Sequence, residues 1–176
     1  MTGGYMLEEK AAKIRLVFLD VDGVLTDGRI VMNHQGAEIK SFNVRDGLGL
    51  KILIEAGIEV AIVTGRKSDV VSRRAEELGI KEIHQGIRDK RTLCNHLRSQ
   101  RRLGRDAVCC IGDDLLDLGM FAESGLTIAV ADAVREIRER ADLITENPGG
   151  AGAVRELCEI LLKSQGKWDQ AVARFA

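Results

Sequence analysis

From Arg15 onward, short apolar runs alternate with amphipathic stretches, and this alternation leaves few folds open. The runs Arg15–Leu19, Glu59–Val63, Glu82–His84, Ala107–Ile111, Thr127–Val130 and Leu143–Ile144 have the length and residue types of strands. Between them, Leu48–Ala56, Ser68–Leu78, Lys90–Leu103, Leu115–Glu123, Val134–Arg140 and Ala153–Lys163 space their apolar residues as helices do. Gly57, Gly79, Gly104 and Gly125 each follow a helix candidate, where a left-handed residue ends a helix most easily. Strands separated by helices pair in parallel, because a crossover is what returns the chain in the same direction. The spacing predicts an α/β fold: a three-layer, doubly wound, Rossmann-like parallel sheet.

One segment departs from the alternation. Gly28–Phe42 contains two strand-like runs around Asn33–Gly36 and reads as a projecting β-hairpin. A lone hairpin is marginal in water, so this one is expected to pair with another subunit or to pack over the active site. Residues 14–163 are then the domain, preceded by a flexible lead-in (residues 1–13) and followed by a tail (residues 164–176). At 176 residues, a single domain buries about 70% of its unfolded surface and needs no staples.

Composition mainly excludes. A net charge of −1 offers no field to attract nucleic acid, and the cluster Arg98, Arg101, Arg102, Arg105 reads as a solvated helix face. No apolar run reaches the roughly 18 residues of a membrane span, and the lead-in lacks the apolar segment of a signal peptide. Cys94, Cys109, Cys110 and Cys158 follow no metal or disulfide spacing and read as buried, reduced thiols, which suits the cytoplasm. His34, His84 and His96 lack partners in sequence and read as structural or exposed.

Open parallel sheets place their chemistry beyond the carboxyl ends of their strands. Asp20-Val21-Asp22-Gly23-Val24 follows the first strand. In extended chain Asp20 and Asp22 would share a side and crowd each other, which raises one pKa or demands a cation. Thr64-Gly65-Arg66 follows the second, with a hydroxyl and free backbone N–H groups suited to a phosphate oxygen. Lys90 opens a helix, where the dipole disfavours a cation unless an anion is at hand. Asp113, Asp114 and Asp117 follow Ala107–Ile111, with Asp113 at the strand end as the best metal ligand. Oxygen-only ligands indicate Mg2+ rather than Zn2+. A carboxylate nucleophile beside Mg2+ and a lysine makes a phosphoryl-transfer site.

These motifs, in this order, resemble the haloacid dehalogenase superfamily of aspartyl phosphatases, over Leu16 to about Leu162. Asp20–Gly28, Phe42–Gly47, Glu59–Arg66, Gly149–Glu156 and Ser164–Lys167 further resemble its capless subfamily acting on an eight-carbon 3-deoxy keto sugar acid phosphate, in lipopolysaccharide precursor biosynthesis. The resemblance implies catalytic roles for Asp20, Asp22, Thr64 and Lys90. Asp20 is the nucleophile; Asp22 protonates the leaving oxygen and then activates water. It implies Mg2+ on Asp20, Asp113 and the backbone carbonyl of Asp22, with Asp114 and Asp117 in support. Superfamily caps are inserted between the first and second motifs or after the second, and neither gap is long enough to hold one. Relatives of this type are homotetramers, and the Gly28–Phe42 hairpin fits as the assembly element, with the tail closing over a neighbouring site. The resemblance also implies substrate contacts at Asp22, Asn43, Val44, Arg45, Asp46, Gly47, Lys51, Gly65, Arg66, Arg74 and Lys90, among them the cations and backbone N–H groups that the substrate's carboxylate calls for. A sister group acting on a nine-carbon acid places Glu where Arg66 stands, so Arg66 favours the eight-carbon acid. The alternative from another class is a non-enzymatic phospho-receiver domain, but its paired acids are adjacent rather than split as Asp-x-Asp.

Overall fold

The computed structural model describes residues 2–175, with side chains from Met6 to Phe175. In chain order the elements are α1 (Thr2–Ala12), β1 (Leu16–Leu19), β2 (Val31–Met32), β3 (Glu38–Ile39), α2 (Val44–Glu55), β4 (Glu59–Thr64) and α3 (Asp69–Leu78). Then follow β5 (Glu82–Gln85), α4 (Lys90–Gln100), β6 (Val108–Gly112), α5 (Leu118–Ala122), β7 (Leu126–Ala129), α6 (Arg135–Arg138), β8 (Leu143–Ile144), α7 (Ala153–Ser164) and α8 (Trp168–Ala173).

Six strands form one parallel sheet in the order β5-β4-β1-β6-β7-β8. β1 is buried at every residue, because helices cover both faces; hence its unbroken Leu-Val-Phe-Leu run rather than an alternating pattern. Phe18 pairs with Ala61 on one side and Cys110 on the other, at the centre of the core. α1 and α2 pack on α7 in one helical layer, and α4 packs on α5 in the other. The chain winds outward from β1 through β4 to β5, then jumps back to β6 on the far side of β1. That reversal opens a crevice at the carboxyl ends of β1 and β6. β2 and β3 form the expected hairpin, closed by Asn33, whose N–H donates to Ala37 O at 3.0 Å. No cap domain is present among the described residues.

Several expectations need correction. Residues 2–12 are helical rather than a flexible lead-in: Ala11 is buried and Leu7 packs on the core. α2 begins before Leu48, because Asn43 caps it, Oδ1 accepting from Arg45 N at 2.8 Å. Gly57 and Gly79 do take positive φ, 87° and 75°. Gly104 does not: α4 ends at Gln100, Arg102 takes the left-handed conformation (φ 54°), and Gly104 opens a 3-10 turn with φ −69°. Gly125 is demanded by space instead, since a Cβ there would lie 2.7 Å from Arg105 O. Residues 115–123 divide into a 3-10 turn (Leu115–Asp117) and α5. The tail folds back on its own chain as α8: Lys167 Nζ donates to Ala56 O at 3.0 Å, and Trp168 lies under Arg155 and Lys163. All four cysteines are free and buried, and burial pushes the Cys94 thiol up to about 12.

Candidate active site

The loop after β1 is held from within and from below. The N–H groups of Val24, Leu25 and Thr26 all donate to Val21 O. The buried Thr26 hydroxyl donates to Val21 O at 3.3 Å and accepts from Gly23 N and Gly28 N at 3.4 and 3.3 Å. Beneath it runs the Pro148–Gly152 turn, where Gly150 N donates to Val24 O at 2.9 Å. A Cβ on Gly149 would collide with Gly23 O, so the two loops touch backbone to backbone.

Onto this platform the fold brings acids that lie far apart in sequence. Lys90 Nζ, buried at the start of α4, donates to Asp20 Oδ1 at 2.8 Å and to Asp117 Oδ1 at 2.6 Å. The other oxygen of Asp117 accepts from Asp113 N at 2.9 Å and Asp114 N at 3.3 Å, and Asp114 caps the turn that follows. One carboxylate oxygen from each of Asp20, Asp113 and Asp117 lies within 4.8 Å of the others. Burial, then the charge of Asp117, pushes Asp20 up to about 7. Burial, then Asp117 and Asp20, pushes Asp113 up to about 8. Burial disfavours the Lys90 ammonium, yet Asp20 and Asp117 outweigh it and hold its pKa above the ordinary value. Carboxylates that resist ionising together are what a divalent cation relieves. Both oxygens of Asp117 already accept hydrogen bonds, which leaves Asp20 and Asp113 as the carboxylates turned to a cation. Gly23 makes room, since a Cβ there would collide with Asp113 Oδ2. An all-oxygen set of this kind suits a hard divalent ion.

Asp22 does not crowd Asp20. The strand ends at Leu19, and the two carboxylates take separate partners. Lys40 Nζ donates to Asp22 Oδ1, and Arg66 Nε lies 3.6 Å from its Oδ2. Lys40 also lies 3.2 Å from Glu38, whose Oε1 accepts from Arg66 Nη2 at 2.8 Å. The Ser68 hydroxyl, then Arg66 and Lys40, hold the Glu38 carboxyl down at about 2. Glu38 and Lys40 went unnoticed in the sequence; the alternation Glu38-Ile39-Lys40 was the available signal.

A cleft of about 220 Å³ joins these groups, lined by Asp20, Asp22, Thr64, Gly65, Arg66 and Lys90 together with the acids after β6. Asn43, Val44, Arg45, Asp46, Gly47, Lys51 and Arg74, expected as substrate contacts, do not line it. Asn43 caps α2. Asp46 is 1% exposed and accepts from Arg155 N at 2.7 Å, closing the N-terminus of α7. Arg45 lines a separate cleft with Arg155 and Glu156. Gly47 packs against the Arg74 guanidinium, which lies over the Phe42 ring and reaches Glu77. Val44 and Lys51 point to solvent on α2.

Comparison with known proteins gives this geometry its lineage. Residues 82–157 match the haloacid dehalogenase-like hydrolase family. The chain is 47% identical over 162 residues to the 3-deoxy-D-manno-octulosonate 8-phosphate phosphatase KdsC of Escherichia coli K12, covering 92% of this chain and 86% of that protein. The chain belongs to the haloacid dehalogenase-like hydrolases. Among solved hydrolases of this family, the phosphatase of that name from Moraxella catarrhalis, in complex with magnesium ion, phosphate ion and KDO, superposes with a TM-score of 0.94 at 45% identity. That match spans 97% of this chain and 98% of the other. The cobalt-bound deoxy-D-mannose-octulosonate 8-phosphate phosphatase of Haemophilus influenzae superposes with a TM-score of 0.86 at 44% identity, over 90% and 92% of the two chains. Among the described residues of this hydrolase, no helix is long and apolar enough to cross a membrane.

Proposed function

We infer that this chain is a Mg2+-dependent phosphatase that hydrolyses 3-deoxy-D-manno-octulosonate 8-phosphate to the free sugar acid and phosphate, in the cytoplasm, for lipopolysaccharide precursor synthesis. The observation that carries the reading is the Lys90 ammonium bridging Asp20 and Asp117 beside Asp113, in a chain so close to KdsC. Asp20 attacks phosphorus as the sugar oxygen departs with a proton from Asp22, leaving an aspartyl phosphate. Water then attacks that phosphorus while Asp22 takes its proton, which frees phosphate and restores Asp20. Lys90 and Thr64 hold the phosphoryl oxygens; Asp117 fixes Lys90 and the Asp113–Asp114 backbone. Mg2+, held by Asp20, Asp113 and the backbone carbonyl of Asp22, would supply positive charge against the phosphoryl oxygens. Arg66, at the mouth of the cleft, is the cation for the substrate's carboxylate and favours the eight-carbon acid.

The assembly is a homotetramer built on the hairpin. Ile30, Val31, Met32 and Ile39 are apolar and exposed, and Val31 and Ile39, paired across the hairpin, share the outward face that a second copy would cover. Asn43–Gly47, Lys51 and Arg74, which line no part of the cleft in one chain, are substrate contacts only if assembly brings them to a neighbour's cleft.

Phosphate release from a panel of sugar phosphates tests the reading. With Mg2+, the eight-carbon acid phosphate is the preferred substrate, EDTA stops turnover, and Asp20→Asn abolishes it while the fold persists. Preference for the nine-carbon acid would overturn the substrate; activity above a few per cent in Asp20→Asn would overturn the nucleophile.

A further inference from the structure

Lys40, the residue that follows β3, places an ammonium where the surface of a hairpin would ordinarily put it in water. Ile39 points outward and is 54% exposed, whereas the flanking Glu38 and Lys40 point inward, as alternate residues of a strand do. The Lys40 side chain is only 2% exposed. A charge so fully withdrawn from water is costly unless it is paired. Lys40 is paired twice, with Asp22 and with Glu38, and Arg66 closes the ring by meeting the same two acids. With Asp22 ionised the four groups alternate in sign and sum to zero charge; when Asp22 carries the proton that it gives to the leaving oxygen, its other oxygen still accepts from Lys40. This ring is separate from the Asp20–Lys90–Asp117 bridge, so two carboxylates two residues apart are governed by different cations.

We propose that Lys40 is a positioning residue for the reaction: it fixes the Asp22 carboxylate against the oxygen that leaves phosphorus, and Glu38 fixes Lys40. The inference rests on the proton-transfer role of Asp22 proposed above. Asp22 stands on a loop outside the sheet, and Lys40 and Arg66 are the cations that hold its carboxylate. Arg66 reaches it at 3.6 Å from a side chain 42% exposed, so the tighter and drier restraint is Lys40. A proton donor must be held within hydrogen-bond reach of the departing oxygen. Releasing Asp22 would therefore harm esters in proportion to how badly their leaving group needs a proton. An alkoxide needs one; a nitrophenolate does not.

The test is a series of simple phosphate monoesters, from a small alkyl ester to the nitrophenyl ester, assayed with Mg2+ on the wild type and Lys40→Met. None carries a sugar acid, so loss of a contact to the sugar cannot imitate the effect. kcat/KM reports only the steps up to leaving-group departure, so the later water attack does not enter. In the wild type, kcat/KM varies little with the leaving group. In Lys40→Met it falls about 10- to 100-fold for the alkyl ester and less than about threefold for the nitrophenyl ester, a share of what a proton donor contributes. Equal losses for all esters would make Lys40 an anchor of the hairpin or a phosphate ligand and overturn the proposal, as would no loss. A wild type already steep in leaving group would instead overturn the proton-transfer role of Asp22. Should Lys40→Met fail to fold, Glu38→Gln decides: it keeps Lys40 but loosens its hold, and steepens the series in the same direction by a smaller factor. A flat series in Glu38→Gln would overturn the proposal.

Discussion

Position 23 couples backbone conformation to the acid cluster. Gly23 turns with φ 88°, a region that costs an L side chain about 1 kcal/mol or more, and a Cβ would also strike Asp113 Oδ2. Both effects fall on the loop that carries Asp20 and Asp22. Gly23→Ala is therefore expected to lower kcat/KM at least about 100-fold, the scale of a 1 Å misplacement in a site. Gly79→Ala is the matched control: its φ is 75°, but nothing lies within 4 Å of the added Cβ. It should lose about 1 kcal/mol in urea unfolding and keep its turnover. Equal activity in the two variants would refute the coupling. Much of this site was legible in the sequence, because every residue at the carboxyl end of β1, β4 or β6 is brought to one crevice by topology alone. Lys40 was not legible in that way. It lies on the hairpin, outside the sheet, and which side of a two-residue strand turns inward depends on the approach angle of the hairpin.

Among the elements, α2 shows where sequence reasoning fails. Asn43–Gly47 looks like an anion-binding lead into a helix, yet α2 packs on α7, and that face fixes where its first turn points. Asp46 is consumed by this packing: it accepts from Arg155 N across 109 positions of sequence. An N-terminal cap is worth about 1–2 kcal/mol. Asp46→Ala should lower unfolding free energy by that amount and leave KM for the sugar phosphate within about twofold; a large rise in KM at unchanged stability would restore Asp46 to the substrate site. The hairpin is the opposite case, since its existence and its turn at Asn33–Gly36 could both be read from the chain. Ile39→Lys places a charge on its outward face and leaves Glu38 and Lys40 directed inward. Light scattering should then show a mass below that of the proposed tetramer, which the unaltered chain should form; an unchanged mass would move the assembly surface elsewhere.

At the scale of the whole molecule, the fold was legible because a sheet covered on both faces needs unbroken apolar strands, and those runs survive in the sequence as punctuated blocks. The sequence could not reveal the electrostatic cost of gathering those strands' terminal acids at one point. Without a bound cation, burial and the neighbouring acids push Asp20 up to about 7 and Asp113 up to about 8, well above the ordinary carboxylate value of about 4. Between these limits the folded state binds more protons than the unfolded state. Stability therefore falls as pH rises through that window and levels off above about 8. A divalent cation that binds the ionised acids acts in the opposite sense, stabilising the fold most where the bare site is weakest. Urea midpoints measured in EDTA should decline from about pH 5.5 to about pH 8.5, and saturating Mg2+ should remove most of that decline. Asp113→Asn should make the EDTA decline shallower, leaving the share that belongs to Asp20, and abolish the response to Mg2+. A flat curve for the wild type in EDTA, or an Mg2+ response that survives Asp113→Asn, would mean that the acids at the crevice neither repel one another nor share an ion.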